Sequence, residues 1–504
     1  MDSLPETLGR QAREHPGSVA IVDGVHRLTY LQLHEMACLI ADQLCKRGIL
    51  PGDRVAMLLQ NSPQAVALIY GTWLAGAVVA PLNPQARGHE VCTLTEHSGA
   101  RLLVYEPAYR DIGVITGQDL LDGTATVPIA DLTSGVYSAE RTPAAPDADD
   151  LAMLLYTSGT TGRPKAVMLS HGNISANVAG IISYLGLTHA DRVLSVLPFN
   201  YSYGSSVLHT HLAVGATIVL EKNMVFPHAI AETMVRERIT GFPGVPSTFA
   251  LLLSRVDLAT MQLDSLRYVT QAGAAMSTAL VDKLRNALPE TSIFIMYGQT
   301  EATARLSYVP PNRLRDKPGS AGIAVPGVEI EIRDEQRRTL KPYATGDVWA
   351  RGPNVMQGYW HDEAATRAVL VDDWLKTGDI GYLDEEGFLF LVGRRSDIIK
   401  TGAHRVHPGE IEEVIAGLPG VSEAAVTGIG DELLGQTIAA WVVPEPGCDI
   451  SVEGVKARCR DMLASYKIPK QVHIVATLPR TTSGKLRRIE LSSLKPTTST
   501  KEVH

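Results

Sequence analysis

Residues 156–165 read Tyr-Thr-Ser-Gly-Thr-Thr-Gly-Arg-Pro-Lys. The first of them, Tyr156, is the last residue of an apolar run that begins at Leu151. We predict a buried strand at 151–156 that leads into a glycine-rich loop. Glycines let backbone N–H groups approach an anion, hydroxyls donate hydrogen bonds, and the Lys165 ammonium neutralises charge. A polar surface turn is the alternative, but this density of donors after a buried strand favours a polyphosphate-binding loop. The loop is not of the Walker A type, because Lys165 follows Pro164 and precedes Ala166.

Helix and strand signals alternate on the N-terminal side of this loop. A helical pattern runs through Arg47, and Gly48 is placed to end it. We predict a strand at 55–59, then another helix and a strand at 78–80. Such alternation is typical of α/β layers with parallel strands, and we expect it to continue to about Leu391.

The stretch 65–82 is long and apolar enough to raise the question of a membrane span. It contains Gly71, Thr72 and Gly76 and ends near Pro81. These residues favour a buried helix that runs into a buried strand, so we expect no integral membrane segment. The N-terminus also lacks the basic and apolar regions of a secretory signal, which predicts a cytosolic protein.

Composition narrows the class of protein further. The 504 residues exceed what one compact core holds, so two to four structural units are expected. A net charge of -8 without a basic block argues against nucleic-acid binding. The five cysteines are scattered and never spaced Cys-x-x-Cys, which favours reduced, mostly buried thiols over disulfides or a zinc site.

The character of the chain changes after Leu391. Residues 393–397 read Gly-Arg-Arg-Ser-Asp, a polar and turn-like segment, and a small unit follows. We therefore predict an α/β protein with a large N-terminal body of several subdomains, sheets flanked by helices, over residues 1–394. A small, mobile α+β lid is predicted over residues 395–504.

Four more motifs follow the loop in order. They are Tyr297-Gly298-Gln299-Thr300-Glu301, Thr377-Gly378-Asp379, the segment from Gly393-Arg394 to Glu412, and 479–485, Pro-Arg-Thr-Thr-Ser-Gly-Lys. Together with 156–165 they resemble the motifs of the adenylate-forming superfamily, which includes acyl-CoA synthetases, peptide-synthetase adenylation domains and firefly luciferase. The resemblance covers essentially the whole chain. It implies that ATP and Mg²⁺ activate a carboxylic acid as an acyl-adenylate, which a thiol then attacks.

The resemblance also implies a role for each motif. The polyphosphate would be held by Thr157, Ser158, Gly159, Thr160, Thr161, Gly162 and Lys165. Glu301 would ligate Mg²⁺, and Thr300 would bond the α-phosphate. Adenine would stack on Tyr297, next to Gly298, with the backbone of Gly273, Ala274 and Ala275 on its other face. Asp379 would accept the ribose hydroxyls with help from Arg394, and Lys485 on the lid would bridge the carboxylate and the α-phosphate.

Three positions depart from the family pattern. Ser396 stands where the hinge of the family usually has Asp or Lys, which puts the usual hinge identity in doubt. Ala166 replaces a common Gly, and Asp347 replaces a common Glu.

The acid should bind among 198–204, 242–245 and 271–275, with Asn200, Tyr201, Tyr203 and Gly273 as candidate contacts. Aromatic side chains beside small residues form an apolar cleft with a few polar groups. Domains for α-amino acids usually carry Asp at the position of Asn200, which argues against an α-amino acid. Asn200 could bond an ortho hydroxyl of an aryl acid, line a fatty-acyl tunnel, or serve only in a turn, so aryl and aliphatic acids both stay open.

Coenzyme A is the expected acceptor, because the chain carries no carrier domain of its own. A carrier-protein phosphopantetheine or an amine is the alternative acceptor. A third possible function is that of a decayed, non-catalytic nucleotide-binding module. The intact Lys165, Glu301, Asp379 and Lys485 argue against decay. A homodimer is compatible with the sequence. His209 and His211 lack a third metal ligand and are expected to be core or surface histidines.

Lys485 generates the first prediction, because the lid would withdraw this residue after the first step. Lys485→Ala should abolish ATP–pyrophosphate exchange yet leave thioester formation from preformed acyl-adenylate largely intact, since a positioned cation is needed only where charge develops on phosphate. Single-turnover assays of each step measure this. Equal loss of both steps would contradict the assigned role.

Overall fold

The computed structural model of the chain describes residues 3–117, 124–135, 146–157, 164–221, 226–401, 404–431, 435–480 and 486–494. Its helices are α1 Leu4–Glu14, α2 Tyr30–Lys46, α3 Pro63–Leu74, α4 Gly88–Ser98, α5 Ile112–Gly117, α6 Ile129–Thr133, α7 His171–Leu185, α8 Ser202–Ala213, α9 Pro227–Arg236, α10 Pro246–Arg255, α11 Thr278–Ala287, α12 Glu363–Val369, α13 Pro408–Ala416 and α14 Val452–Met462.

Its strands are β1 Val19–Asp23, β2 His26–Thr29, β3 Arg54–Leu58, β4 Val78–Pro81, β5 Ala100–Tyr105, β6 Ala125–Pro128, β7 Leu151–Thr157, β8 Lys165–Ser170, β9 Arg192–Ser195, β10 Thr217–Leu220, β11 Gly241–Gly244, β12 Tyr268–Gln271, β13 Ser292–Tyr297, β14 Ser307–Val309, β15 Ile323–Ala324, β16 Glu329–Arg333, β17 Gly346–Arg351, β18 Gly358–Tyr359, β19 Leu370–Val371, β20 Trp374–Leu383, β21 Leu389–Arg394, β22 Ile399–Thr401, β23 His404–Val406, β24 Val421–Asp431, β25 Gly435–Pro444 and β26 Gln471–Ile474.

Two large sheets form the body. One has seven strands in the order β18-β8-β7-β4-β3-β5-β6, and the other has nine in the order β15-β14-β13-β12-β11-β9-β10-β1-β2. The strands β3, β4, β5, β6 and β7 run parallel, as do β1 and β9 to β13. The predicted parallel α/β layers are therefore confirmed for this part of the chain.

Helices α2 and α3 lie in the core that the two sheets share. The hydroxyl of Tyr30 on α2 donates to Ala216 O over 2.7 Å, just before β10 of the nine-stranded sheet. The indole of Trp73 on α3 donates to Ala152 O over 2.8 Å, in β7 of the seven-stranded sheet. Each buried ring thus places its polar atom on a backbone acceptor and fixes one helix to one sheet.

The apolar stretch 65–82 is a buried helix followed by a buried strand, as predicted, since α3 and β4 bury nearly every residue. None of the helices in the described ranges combines the length and the apolar character needed to cross a membrane.

The prediction that α/β alternation continues to Leu391 is wrong. Between 329 and 394 the strands β16, β17, β19, β20 and β21 pair antiparallel in a five-stranded sheet, with α12 as the helix of this region. Short strands separated by tight turns gave a pattern that antiparallel hairpins produce as readily as α/β units.

The C-terminal unit has its own sheet and its own core. Strands β22 to β25 pair antiparallel, β26 joins β25 in parallel, and α13 and α14 pack on the sheet. Its core includes Ile411, Ile415, Val442 and Cys459. The predicted α/β body with a small α+β unit is confirmed, whereas the boundary between residues 394 and 395 stays a prediction.

The five cysteines lie in described ranges, and each is a thiol that forms no disulfide there. Cys38 and Cys459 are buried, while Cys448 is exposed, so the expectation of mostly buried thiols holds only in part.

His209 and His211 are core residues on α8, as expected. The two ring nitrogens of His211 lie 2.7 Å from Val207 O and 2.7 Å from the Tyr268 hydroxyl, and burial lowers the pKa of His211 to about 4.

Contact between α2 and α3 depends on Gly71. A Cβ atom at this position would lie 2.7 Å from Ala37 O and 2.9 Å from Ile40 Cβ. Gly71→Ala should therefore lower the free energy of unfolding by about 1–3 kcal/mol through overpacking. Gly113→Ala in α5 is the matched control, because a Cβ there meets nothing within 4 Å. The first transition in urea unfolding measures both variants, and equal midpoints would contradict this account of the packing.

Candidate active site

The predicted phosphate loop connects two antiparallel strands. Thr157, the last residue of β7, is paired with Lys165, the first residue of β8. The two predicted loop flanks therefore face each other across the hairpin. Ser158, Gly159, Thr160, Thr161 and Gly162 lie outside the described residues, as does Lys485.

Lys165 begins β8 of the seven-stranded sheet, Glu301 lies in the turn after β13 of the nine-stranded sheet, and Tyr359 contacts both. The Tyr359 hydroxyl donates to Glu301 Oε1 over 2.8 Å, and Lys165 Nζ lies 5.3 Å from the centre of the Tyr359 ring. Burial, reinforced by the charge of Glu301, raises the pKa of Tyr359 well above its ordinary value, so the hydroxyl remains a donor. Because Tyr359 donates to Oε1, the second carboxylate oxygen of Glu301, Oε2, can accept or ligate another group.

Tyr359 belongs to residues 353–360, which we name the connecting segment. Backbone and side-chain hydrogen bonds of this segment hold Tyr359 in place. Backbone N–H groups of this segment donate from Met356 to Glu301 O over 2.9 Å and from Gln357 to Met168 O over 3.0 Å. The amide of Asn354 donates to Ala302 O over 3.0 Å. One short segment therefore joins the turn that carries Glu301 to strand β8, which begins with Lys165.

The turn after Tyr297 is tight and strained. A Cβ at Gly298 would lie 2.0 Å from Ala304 O, so only glycine fits there. Thr303 has a φ of 51° and Ala304 a φ of 92°, both in the region that disfavours side chains. The Thr300 hydroxyl lies 3.3 Å from the Ser202 hydroxyl at the start of α8. Strained backbone that the surrounding contacts enforce is typical of functional turns.

A second polar group connects the nine-stranded sheet to the antiparallel sheet. The Tyr297 hydroxyl donates to Asp379 Oδ2 over 2.6 Å, and Arg394 Nε donates to Asp379 Oδ1 over 3.1 Å. Burial, followed by the charge of Asp379, raises the pKa of Tyr297 well above its ordinary value. The same carboxylate raises the pKa of Arg394. Three of the predicted nucleotide-binding residues are thus in direct contact.

Gly273, Ala274 and Ala275 form an exposed loop directly after β12. Gly273 has a φ of 93°, which favours glycine, and the side chain of Gln271 donates to Ala274 O over 2.8 Å. This loop follows β12, and Tyr297 ends the neighbouring parallel strand β13, so both lie at the carboxyl edge of the sheet, where α/β proteins bind ligands.

The predicted acid-binding residues differ in exposure and contacts. Asn200 is buried and Tyr201 half-buried in the turn before α8, and the amide of Asn61 clamps this turn through Leu197 O at 2.8 Å. Tyr203 is buried, and its hydroxyl lies 2.8 Å from Thr270 O and 2.9 Å from Thr270 Oγ1.

A cavity lies beneath the strand ends, between α7, α8 and strands β11 to β13. The cavity has room for about one water molecule. Its lining includes Tyr184, Thr210, His211, Tyr268, Thr270 and Arg305. Thr270 precedes the Gly273 loop in β12, and Arg305 follows the Thr300 turn, so the cavity adjoins the predicted nucleotide contacts.

The stem that carries the Lys485 loop is fastened to the C-terminal unit. An isolated β-bridge joins Arg480 and Leu486 on the two sides of 481–485. Arg480 Nη2 lies 2.8 Å from Glu423 Oε2. Arg488 pairs with Glu412 and lies 3.2 Å from Asp397, next to the predicted hinge. The basic residues around Lys485 are therefore paired rather than solvated.

Sequence reasoning missed Tyr359, Ser202 and Arg305. Tyr359 lies in Gly358-Tyr359-Trp360, a common kind of strand sequence with no chemical signal. Ser202 lies within the predicted acid-binding segment 198–204, for which the sequence predicts no contact of Ser202 with Thr300. In the sequence, Arg305 is indistinguishable from an ordinary surface arginine. Its position, five residues after Thr300 of the predicted site, is the one signal that could have indicated burial.

Within the described residues, no group of three or more His, Cys, Asp and Glu side chains could hold a metal ion. A single carboxylate such as Glu301 fits Mg²⁺ that takes its other ligands from phosphate and water, as this ion usually does.

Two family models match the chain. The model described as AMP-binding enzyme matches residues 8–360, and the model described as AMP-binding enzyme C-terminal domain matches residues 410–485. The chain is 32% identical over 503 residues to a 2-succinylbenzoate–CoA ligase of Geobacillus sp. (strain WCH70), with 98% of each chain covered. It is 33% identical over 502 residues to an indoleacetate–CoA ligase of Aromatoleum aromaticum, with 97% of this chain and 98% of the other covered.

Solved structures agree with these relatives. The o-succinylbenzoate CoA synthetase of Bacillus subtilis, in complex with its acyl-adenylate intermediate, has a TM-score of 0.88 at 30% identity, with 98% of this chain and 99% of the other covered. The same enzyme in complex with ATP and a magnesium ion has a TM-score of 0.87, with 96% of this chain and 99% of the other covered.

Tyr359→Phe tests the geometry around Glu301. The variant removes the hydrogen bond to the carboxylate but keeps the ring that faces Lys165, so Mg·ATP should bind about tenfold more weakly. ATP without Mg²⁺ should bind as in the wild type. Isothermal titration calorimetry measures both, with Tyr343→Phe as the control because that ring is 60% exposed. Unchanged Mg·ATP affinity would remove Tyr359 from the site.

Proposed function

Because the chain belongs to the AMP-binding enzyme family, we propose that it is an AMP-forming acid–thiol ligase that joins a carboxylic acid to coenzyme A. The observation that carries the proposal is the meeting of Lys165, Tyr359 and Glu301. A cation that begins β8, directly after the predicted phosphate loop, and a carboxylate from the turn after β13 thus contact the same tyrosine. A group that must hold both polyphosphate and a divalent cation needs these two charges together.

The first step forms the acyl-adenylate. A carboxylate oxygen attacks the α-phosphorus of ATP, the bond to the β-phosphate breaks, and pyrophosphate leaves. Both reactants are anions, so positioning and charge neutralisation supply most of the catalysis. In this proposal Lys165 and the loop hold the leaving phosphates, while Thr300, oriented by Ser202, bonds the α-phosphate.

Mg²⁺, when bound, neutralises charge on the phosphate oxygens. Glu301 would hold it through the carboxylate oxygen that Tyr359 leaves open. The nucleoside would lie against Tyr297 and the Gly273 loop, with its ribose hydroxyls on Asp379. Arg394 and the Tyr297 hydroxyl fix that carboxylate from two sides, which orients its remaining acceptor capacity toward the ribose.

The second step forms the thioester. The thiol sulfur attacks the acyl carbon, its proton is released, and AMP leaves with the oxygen that the carboxylate contributed. Lys485 would serve the first step and then withdraw with the lid about the hinge at 394–397. Arg395 Nε lies 2.8 Å from the buried Asp347 Oδ1, an ion pair that this rotation would have to break or carry. The predicted lid boundary and the role of Ser396 belong to this proposal.

Coenzyme A is the favoured acceptor, since the similar proteins named above are CoA ligases or synthetases. The alternative is a stand-alone enzyme that loads a carrier-protein phosphopantetheine or forms an amide. A homodimer and a cytosolic location stay predictions.

We infer that the acid carries a ring. Both relatives named above act on acids with an aromatic ring. Tyr184 and Tyr268 line the cavity beside the site, and the Tyr203 ring lies next to it. Aromatic side chains next to the predicted acid-binding segment favour a planar substrate over a flexible chain. An ortho hydroxyl bonded by Asn200 remains one version of this proposal.

Pyrophosphate exchange with a panel of acids tests the proposal. Ring-bearing acids should support ATP–pyrophosphate exchange better than straight-chain fatty acids, and coenzyme A added with the best acid should give its thioester. Glu301→Gln should slow exchange about 10²–10³-fold, because it removes a charge that stabilises the transition state.

Glu385→Gln is the matched control, since Glu385 is an exposed carboxylate outside the site. Exchange without thioester formation would favour the carrier-loading alternative. No exchange with any acid would overturn the proposed function.

A further inference from the structure

Asn354 of the connecting segment makes three hydrogen bonds to one strained turn. Its side-chain Nδ2 donates to Ala302 O over 3.0 Å and to Arg305 O over 2.9 Å, and its backbone oxygen accepts from the Thr303 hydroxyl over 2.6 Å. The residue is buried, at 2% exposure. One amide nitrogen therefore bridges the backbone on both sides of Thr303 and Ala304.

The two residues inside this bridge, Thr303 and Ala304, form a strained pair. Their φ angles of 51° and 92° cost free energy for residues that carry a Cβ. Such backbone persists only where surrounding contacts enforce it. Asn354 provides such contacts, because its two amide hydrogens fix the carbonyl groups at both ends of the strained pair. Loss of these two bonds frees the turn to relax toward ordinary backbone angles.

The strained pair also determines where two predicted site residues lie. The Thr303 N–H donates to Thr300 O over 3.0 Å, and the Ala304 N–H donates to Gln299 O over 3.2 Å. Thr300 and Glu301 belong to the short helical turn that these bonds close. A change of φ in the strained pair would therefore move both residues.

A second buried asparagine makes only half of this bridge. Asn177 Nδ2 on α7 donates to Arg305 O over 3.2 Å, on one side of the strained pair. The side-chain oxygens of Asn177 and Asn354 both lack a hydrogen-bond partner within the described ranges. Replacement of either residue by leucine, which has a similar size, thus removes the same kind of unpaired acceptor and a bond to the same carbonyl. Asn177→Leu is therefore a matched control for Asn354→Leu.

We propose that Asn354 is a positioning residue for formation of the acyl-adenylate, and that it acts by keeping the turn at 302–305 strained. This inference rests on the proposed function, because it assigns Asn354 to the support of the groups that would hold Mg·ATP. Asn354 itself contacts neither the nucleotide nor the acid. It acts through the backbone, which sets the position of Thr300 and keeps Glu301 within the hydrogen bond of Tyr359.

Hydrogen exchange of the ligand-free protein provides the first test. The N–H groups of Ala302, Thr303 and Ala304 donate within this turn. They should exchange roughly tenfold faster in Asn354→Leu, because the bridge that closes the turn is gone, and less so in Asn177→Leu. Adding Ala304→Gly to Asn354→Leu should slow the exchange again, since glycine adopts a positive φ without strain. Equal exchange in the wild type and Asn354→Leu would overturn the inference and leave the proposed function intact.

ATP–pyrophosphate exchange with the best acid of the panel provides the second test. Asn354→Leu should lower kcat about 10²-fold, because a relaxed turn misplaces the groups around ATP. It should also raise the Mg²⁺ concentration that gives the half-maximal rate. Asn177→Leu should lower kcat less, and the double variant Asn354→Leu, Ala304→Gly should recover most of the loss.

A purely structural role of Asn354 would give a different pattern. The value of kcat would fall only in proportion to the folded fraction, the Mg²⁺ requirement would stay that of the wild type, and Ala304→Gly would restore nothing. This pattern would overturn the inference, whereas no exchange by the wild type with any acid would contradict the proposed function. If Asn354→Leu does not fold, Asn354→Ala replaces it, since alanine removes the amide without adding volume.

Discussion

The candidate site depends on one constraint. Two groups of opposite charge, Lys165 and Glu301, must keep a fixed relative position although they are attached to different sheets. Lys165 begins a strand of the seven-stranded sheet, and Glu301 follows a strand of the nine-stranded sheet. Their relative position is fixed by the connecting segment, which pairs with β8 on one side and bonds the turn of Glu301 on the other. Tyr359 sits at the junction and contacts both groups. Hydrogen bonds of Tyr30 and Trp73, in the core that the two large sheets share, connect α2 and α3 to these sheets and so fix the relative position of the sheets.

The same logic extends to the remaining groups. Tyr297, Asp379 and Arg394 link the nine-stranded sheet to the antiparallel sheet, whose last strand ends at Arg394. A nucleotide bound there would contact three sheets at once, so its charge is compensated by groups that cannot move independently. Preorganised charge of this kind needs no rearrangement when the reaction begins. The strained turn at Thr303 and Ala304 shows that the fold accepts local strain to hold this geometry.

The sequence predicted the parts of this design that are local. The buried strand before the phosphate loop, the helix that Gly48 ends and the buried stretch 65–82 follow from periodicity and turn residues. The ordered motifs predicted Thr300, Glu301, Tyr297 and Asp379 as site residues, and the structure brings Tyr297 and Asp379 into contact. Contacts between distant segments could not be predicted from the sequence. Nothing in Gly358-Tyr359-Trp360 indicates a hydrogen bond to Glu301, and nothing around Arg305 indicates that this side chain is buried. The antiparallel pairing of 329–394 was missed because pairing partners are chosen by tertiary packing rather than by local pattern.

The central claim is that the carboxylate itself attacks the α-phosphorus, and the fate of its oxygen tests this most directly. An acid labelled with ¹⁸O in the reacting carboxylate is converted to its thioester in one turnover with ATP and coenzyme A, and the phosphorus products are examined by mass spectrometry. Attack at the α-phosphorus transfers one ¹⁸O to AMP and none to pyrophosphate. Label in inorganic phosphate, or AMP without label, would contradict the account.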